Sequence, residues 1–416
     1  MVQIAAMFEV TAADIALLND ENLRSLVGLL CEAEVRKLGL PPSYVTWGGN
    51  QDAGDGGLDV RVALPASVPT CGFVPRAATG FQVKKPKMPR EKILAEMRPK
   101  PEKLLRPVIR ELADQVGAYI IVSAESTSDS VLRNRIKAMA DGVGDLPNAK
   151  DLTLDYYDAS RLATWVRQHA GLIVWVRETI GKAYRGWRPY GTWANGAETA
   201  NAEYLLDDAF RVQTRTTEPE GGLTALGGLN HIRNLLSTSG KVGRLAGLSG
   251  VGKTRFVQAL FDDRYGERAL DPSTALYTNM ADDPEPQPVG MASRLVAARE
   301  RAILVIDNCP GALHSRLSEV CRSAGSTVSV VTIEYDIQED QPEGTEVFKL
   351  QPSSDGLIEK LVRLRFPEVS IIDAHSIAGV SGGNARIAIA IAGTVGKDET
   401  IAGLTDEQLF LESTDM

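Results

Sequence analysis

Hydrophobic and polar positions change period along the chain, and those changes mark its elements. Between 21 and 39, Leu23, Val27, Leu30, Cys31 and Leu38 recur at helical spacing, which predicts one amphipathic helix. Glu34 falls inside that stripe, four residues after Leu30 and four before Leu38. A carboxylate on a buried helix face is costly unless something pairs with it, so Glu34 either holds a partner or reaches water at the stripe's edge. After a turn-rich stretch at 47–54, alternation from Leu58 to Val62 predicts a strand with Asp59 at its start. A second strand is predicted at 81–85, where Gln82 and Lys84, two apart, share one face. Apolar runs at 118–123 and 152–157 predict buried strands, and helical spacing follows at 128–139 and 159–169. This strand–helix alternation predicts an α/β class.

The second half shows the same alternation in longer apolar runs. Strands are predicted at 243–246, 301–308, 327–333 and 347–350, with helices at 229–236, 255–261, 356–366, 372–380, 384–393 and 406–411. Between the strand at 243–246 and the helix at 255–261 stands Gly247-Leu248-Ser249-Gly250-Val251-Gly252-Lys253-Thr254. This is G-x-x-x-x-G-K-[ST] in the strand–loop–helix context the motif requires. Gly247, Gly250 and Gly252 let backbone N–H groups turn toward phosphate oxygens, Lys253 reaches the β/γ-phosphates, and the Thr254 hydroxyl meets Mg²⁺. Asp307 ends the apolar strand at 301–308 and is expected to hold the same Mg²⁺, with Asn308 where a second acid is common. Thr332, at the end of the next strand, is expected to point at the γ-phosphate. Arg386 opens a helix after a Gly-Gly turn and is expected to sense the nucleotide phosphate, so the second half is predicted to bind ATP with Mg²⁺.

Composition narrows the setting. Hydrophobic residues make up 44% and charged residues 24%, ordinary values for a soluble globular protein, and 416 residues suffice for two or three domains. A formal net charge of −9 excludes a global basic field, so any nucleic-acid surface must be local. Such a patch exists: from Lys84 to Arg110 ten basic residues face three acidic ones. Four dispersed cysteines indicate neither a zinc site nor a disulfide framework and fit a reducing cytosol. The N-terminus lacks the pattern of a signal peptide, and no apolar run approaches the ~20 residues of a membrane span. Four of the five tryptophans (Trp165, Trp175, Trp187, Trp193) cluster, which predicts core packing of a small subdomain. The boundaries read as a first domain at 1–195, a linker at 196–222, a nucleotide-binding core at 223–352 and a helical segment at 353–416.

Two resemblances cover most of the chain. Asp55-Gly56-Gly57-Leu58-Asp59, followed by Gln82-Val83-Lys84, resembles the Mrr-like branch of the PD-(D/E)xK restriction endonucleases, in which glutamine stands where most relatives have an acid. That resemblance implies Asp59 as metal ligand, Gln82 as second ligand, Lys84 as catalytic lysine and Glu34 as a supporting metal ligand. The loop 247–254, with 303–308, 330–335 and 383–390, resembles the STAND class of P-loop ATPases, above all bacterial antiviral proteins that join a nuclease to such an ATPase. Together they imply an ATP-gated DNA endonuclease of antiphage defence in the cytoplasm. Double-stranded DNA would be its substrate, a homo-oligomer its active form, and a viral protein its trigger. Relatives usually continue into a helical-repeat sensor, which is here absent, truncated or supplied by another chain. The alternatives are a signalling or scaffolding ATPase whose N-terminal domain binds without cutting, and a site-specific restriction enzyme without a sensor.

Overall fold

The structure, a computed structural model, describes residues 8–48, 57–68, 70, 72–194, 209–214, 221–334 and 343–394. The chain divides into two units, Met1–Tyr184 with Asp271–Thr274, and Arg185–Leu270 with Ala275–Met416.

The first unit opens with α1 (Ala12–Leu17) and α2 (Asp20–Lys37). Thr11 and Asp14 cap α1 reciprocally, and Asn19 caps α2 by accepting from the Asn22 N–H, which satisfies donors a helix start leaves orphaned. The expected stripe of α2 is buried from Leu23 to Cys31, and Glu34 is buried with it. Short alternating segments form β1 (Val45–Trp47) and β2 (Val60–Ala63), and mostly buried runs form β3 (Ala78–Lys84) and β4 (Ala118–Ser123). The expected buried strand at 152–157 forms β5 (Thr153–Tyr157), of which only Tyr156 and Tyr157 are buried. The strands pair in the order β1-β2-β3-β4-β5, antiparallel through β3 and parallel from β3 to β5. Parallel neighbours need long crossovers. Here α3 (Arg90–Met97) and α4 (Pro107–Asp114) link β3 to β4, and α5 (Asp129–Gly142) links β4 to β5. Ile93, Met97, Ile109, Leu112 and Met139 from these helices meet Tyr119 and Ile121 of β4 in one core. Two further helices follow, α6 (Ala159–Val166) and α7 (Ala170–Thr179).

The second unit holds strands β6 (Trp187–Pro189), β7 (Arg211–Thr214), β8 (Leu223–Thr224), β9 (Val242–Ala246), β10 (Ala275–Asn279), β11 (Ala302–Asp307), β12 (Val328–Ile333) and β13 (Glu346–Leu350). They form one sheet in the order β6-β10-β11-β12-β9-β13-β7-β8. The five central strands are parallel, whereas β6, β7 and β8 add antiparallel edges. The helices between them are α8 (Tyr190–Ala194), α9 (Ala225–Ser237), α10 (Lys253–Ala259), α11 (Pro288–Ala298) and α12 (Gly311–Cys321). Leu229 and Ile232 of α9 and Phe256 and Val257 of α10 pack against Leu245, Val305 and Val331 of the sheet. Three terminal helices, α13 (Asp355–Arg365), α14 (Ile371–Ser381) and α15 (Ala385–Thr394), close a core of their own around Val362, Ile377 and Ile391. A central parallel sheet, with the glycine loop joining β9 to α10, makes this a P-loop NTPase-like fold.

Several boundaries differ from those expected. β6 and α8 fall within the predicted first domain yet belong to the second unit, and β7, expected as linker, pairs with β13. The predicted helix at 406–411 and most of the turn at 47–54 lie outside the described residues. Trp165, Trp187 and Trp193 are core residues while Trp175 is only partly buried, and they fall in both units rather than in one subdomain: Trp165 stacks on Phe73 at 4.9 Å and Trp193 on Tyr277 at 4.4 Å between ring centroids. Among the described residues, no helix is long and apolar enough to cross a membrane.

Candidate functional site

The glycine loop takes its shape from backbone angles that side chains resist. Gly250 and Gly252 hold φ of 83° and 89°, in the left-handed region that favours glycine. Lys253 turns back on the loop, its Nζ donating to the carbonyls of Gly247 at 2.8 Å and Leu248 at 2.7 Å. Burial lowers the pKa of this ammonium, and the Asp307 charge opposes that shift. The Thr254 hydroxyl donates to Asp307 Oδ2 at 2.8 Å, and the Tyr277 hydroxyl donates to the same oxygen at 3.2 Å. Asp307 Oδ1 accepts the Asn308 N–H at 2.9 Å. Burial and the Asp307 charge push the Tyr277 phenol upward, which keeps it a donor. Asn308 adopts φ of 52° and gives its side-chain amide to Asn279 at 3.0 Å. The structure therefore brings Lys253, Thr254 and Asp307 together around one loop. A hydroxyl and a carboxylate in contact suit a Mg²⁺ that carries a nucleotide.

Two expected phosphate sensors fare differently. Arg386 is exposed at the start of α15, and the turn before it lies against the loop, where Asn384 Nδ2 donates to the Ser249 carbonyl at 2.7 Å. Thr332 does not face the loop. Its hydroxyl sits 2.8 Å from His314 Nδ1 in α12, and His314 Nε2 lies 2.9 Å from Thr345 Oγ1. Alternation along β12 explains this, because Val331 and Ile333 take the face that packs on α10 and leave Thr332 on the other.

Sequence reasoning missed Arg233. Its buried guanidinium donates to the carbonyls of Ala259, Leu260, Asp262, Tyr265 and Glu267, tying α9 to the end of α10 and the turn beyond. Its only sequence signal is a charge within an apolar helical stripe.

In the first unit the structure brings Asp59 and Gln82 together. Asp59 Oδ2 accepts from Gln82 Nε2 at 2.6 Å and from the Val83 N–H at 2.7 Å, and Arg24 Nε lies 3.9 Å from Asp59 Oδ1. The Gln82 amide oxygen is buried and has no hydrogen-bond partner among the described residues. An orphaned oxygen beside a carboxylate fits a hard divalent cation. The donor set is sparse, since among the described residues no three His, Cys, Asp or Glu side chains converge on a metal position. Lys84 follows two residues on, with its Nζ 3.4 Å from Glu96 Oε2. Glu96 also accepts from Arg106 Nη2 at 2.9 Å, so a Lys84–Glu96–Arg106 chain stands beside the pair, unforeseen in the sequence.

Glu34 takes other partners. Its Oε1 accepts from Trp165 Nε1 at 2.9 Å, lies 3.1 Å from His169 Nε2, and is 3.1 Å from Lys37 Nζ. Burial opposes its ionisation, but the His169 hydrogen bond, the Lys37 charge and the Trp165 indole outweigh it and hold the pKa at about 2. The buried alternative for this residue therefore holds, with its bonds running to a set distinct from Asp59 and Gln82. The basic stretch is partly neutralised as well. Arg90 pairs with Asp141, Arg98 with Asp145, and Lys84 and Arg106 with Glu96, while Lys87, Lys92, Lys100, Lys103 and Arg110 are exposed.

No family model matches the chain, and no curated protein matches it. Among solved structures it is similar to a Signal Transduction ATPase with Numerous Domains, with a tetratricopeptide repeat sensor, from Pyrococcus horikoshii: 13% identity over 51% of this chain and 34% of that one, TM-score 0.29. It is also similar to a chain of the HORMA:CdnC:Trip13 complex of E. coli MS115-1, at 10% identity over 51% and 97% of the two chains, TM-score 0.30. A third likeness is to C. elegans PCH-2, at 10% identity over 49% and 73%, TM-score 0.32. The chain spans about a third of the length of the Pyrococcus protein. At such scores these likenesses carry no argument, and the P-loop NTPase-like fold rests on the sheet order, the glycine loop and the Thr254–Asp307 contact.

Proposed function

We propose that the chain is an ATP-gated, metal-dependent DNA endonuclease of antiphage defence, in which the second unit binds nucleotide and the first cuts double-stranded DNA. The nucleotide half is supported by the Thr254–Asp307 contact beside the glycine loop. The cutting half is carried by one observation, the orphaned oxygen of Gln82 on β3 beside Asp59, the residue just before β2.

In this reading Asp59 and Gln82 would hold a divalent cation such as Mg²⁺, which would supply Lewis-acid polarisation of the phosphodiester. Lys84 lies two residues from Gln82 on β3, where its ammonium offsets charge developing on the phosphate as water adds to phosphorus and one P–O ester bond breaks. Glu96 and Arg106 keep that ammonium from swinging away. In the second unit, Lys253, which here donates to the Gly247 and Leu248 carbonyls, would meet the β/γ-phosphates of ATP, and Thr254 and Asp307 would hold the nucleotide's Mg²⁺. ATP gates cutting only if it binds one of two states better, and a homo-oligomer formed on a viral trigger is the state we assign to it.

A second reading, a cytoplasmic STAND-type signalling or scaffolding ATPase that binds nucleic acid or protein without cutting, is favoured by the neutral Gln82 and by the ion pair that engages Lys84. Plasmid incubation with Mg²⁺ separates the two. Nicking or linearisation that disappears in Lys84→Ala supports the nuclease, and equal cutting by both proteins removes Lys84 from the mechanism.

A further inference from the structure

The turn that starts α15 does more than bring Arg386 near the loop. We propose that Asn384 is a positioning residue of the phosphate-binding loop, acting through the Ser249 carbonyl and fastening the α13–α15 segment to it.

The amide orientation of Asn384 is fixed by its neighbours. Oδ1 accepts from the Arg386 N–H at 3.1 Å and the Ile387 N–H at 3.3 Å, which caps α15. A flipped amide would set its NH₂ against those two donors, so Nδ2 is the group that donates to the Ser249 carbonyl at 2.7 Å. The peptide joining Ser249 to Gly250 is planar and trans, and its C=O and N–H point in opposite directions. Holding the carbonyl toward Asn384 therefore aims the Gly250 N–H away from it, as a loop that receives phosphate oxygens requires. Close packing locks the arrangement. A Cβ on Gly250 would collide with Asn384 Oδ1, and one on Gly383 would collide with the Ser353 carbonyl at the start of the helical segment.

Two sites joined this way are linked reciprocally: a nucleotide that needs the ordered loop also favours the seated segment, and a seated segment tightens nucleotide binding. The inference rests on the reading of 247–254 as a nucleotide loop and not on the nuclease.

The test uses the full chain with Asn384→Ser. Serine still caps a helix but does not reach the Ser249 carbonyl. Two readouts apply: equilibrium binding of a fluorescent ATP analogue with Mg²⁺, and hydrogen exchange of the loop 247–254 and of 371–394, with and without nucleotide. We expect the variant to keep its melting temperature, to bind the analogue about three- to tenfold more weakly, and to exchange faster in both segments even without nucleotide. Unchanged affinity with unchanged exchange overturns the proposal. A wild-type protein that binds no nucleotide removes the nucleotide reading, and the nucleotide-free exchange comparison then decides the fastening by itself.

Discussion

Thr254 and Asp307 meet at 2.8 Å although β12 lies between β9, which leads into the Thr254 loop, and β11, which ends in Asp307. The contact forms because the loop curls over the ends of the parallel strands, where the acid emerges. Tyr277 on β10 closes the same carboxylate from the far side. Removing either member is expected to weaken Mg²⁺–ATP binding more than metal-free ATP binding. For Thr254→Ala the loss is about tenfold, the scale of one charge-assisted hydrogen bond. Titration with a labelled nucleotide, with and without Mg²⁺, measures it, and an equal loss in both conditions would place Thr254 outside the metal's reach.

Gly250 should tolerate no side chain. Its φ of 83° and the collision of a Cβ with Asn384 act together. Gly250→Ala is expected to abolish detectable nucleotide binding while circular dichroism stays that of the wild type. Retained binding would show that the loop has room to rearrange.

Arg233→Lys is expected to destabilise the second unit by about 3 kcal/mol, because an ammonium cannot replace a planar fork that reaches five carbonyls and leaves several of them unpaired. Urea denaturation followed by tryptophan fluorescence reads this directly. A shift below about 1 kcal/mol would mean that water replaces the lost donors.

Glu34 makes the first unit acid-sensitive. Its folded pKa of about 2 lies below the 4.5 of an unperturbed glutamate, so its stabilisation is complete above pH 4.5 and is lost as pH falls toward 2. That stabilisation is about 3 kcal/mol at neutral pH. Glu34→Gln removes it, and the stability difference between wild type and variant should shrink through that window. A difference that stays constant with pH would mean that packing, not charge, sets the cost.

The parts that were legible in the sequence share a physical reason. Long apolar runs with turn residues at their ends place β4, β11 and β12 within a residue or two, because a buried parallel strand needs no partner's help to be recognised. The glycine loop is legible for the same reason, its residues being chosen by backbone conformation alone. What sequence reasoning missed depends on partners far along the chain. β6 and β7 are three and four residues long and exist through the strands they pair with. Local spacing shows Glu34 in the buried stripe but not its partners Trp165 and His169, more than 130 positions away. Nor does it show the neutralised basic patch, because Arg90 and Arg98 find Asp141 and Asp145 about 50 positions away. Thr332 lay on the expected strand, but the sheet face of a residue buried on both sides is not written in the strand itself.

The most direct test of gating is cleavage of a supercoiled plasmid in Mg²⁺, with and without ATP, by the wild type, Lys253→Ala and Lys84→Ala side by side. Cutting is expected from the wild type only when ATP is present, and none from either variant, with Lys84→Ala still binding ATP. Cutting by Lys253→Ala at the wild-type rate would contradict this expectation, because the nuclease would then act without the nucleotide site.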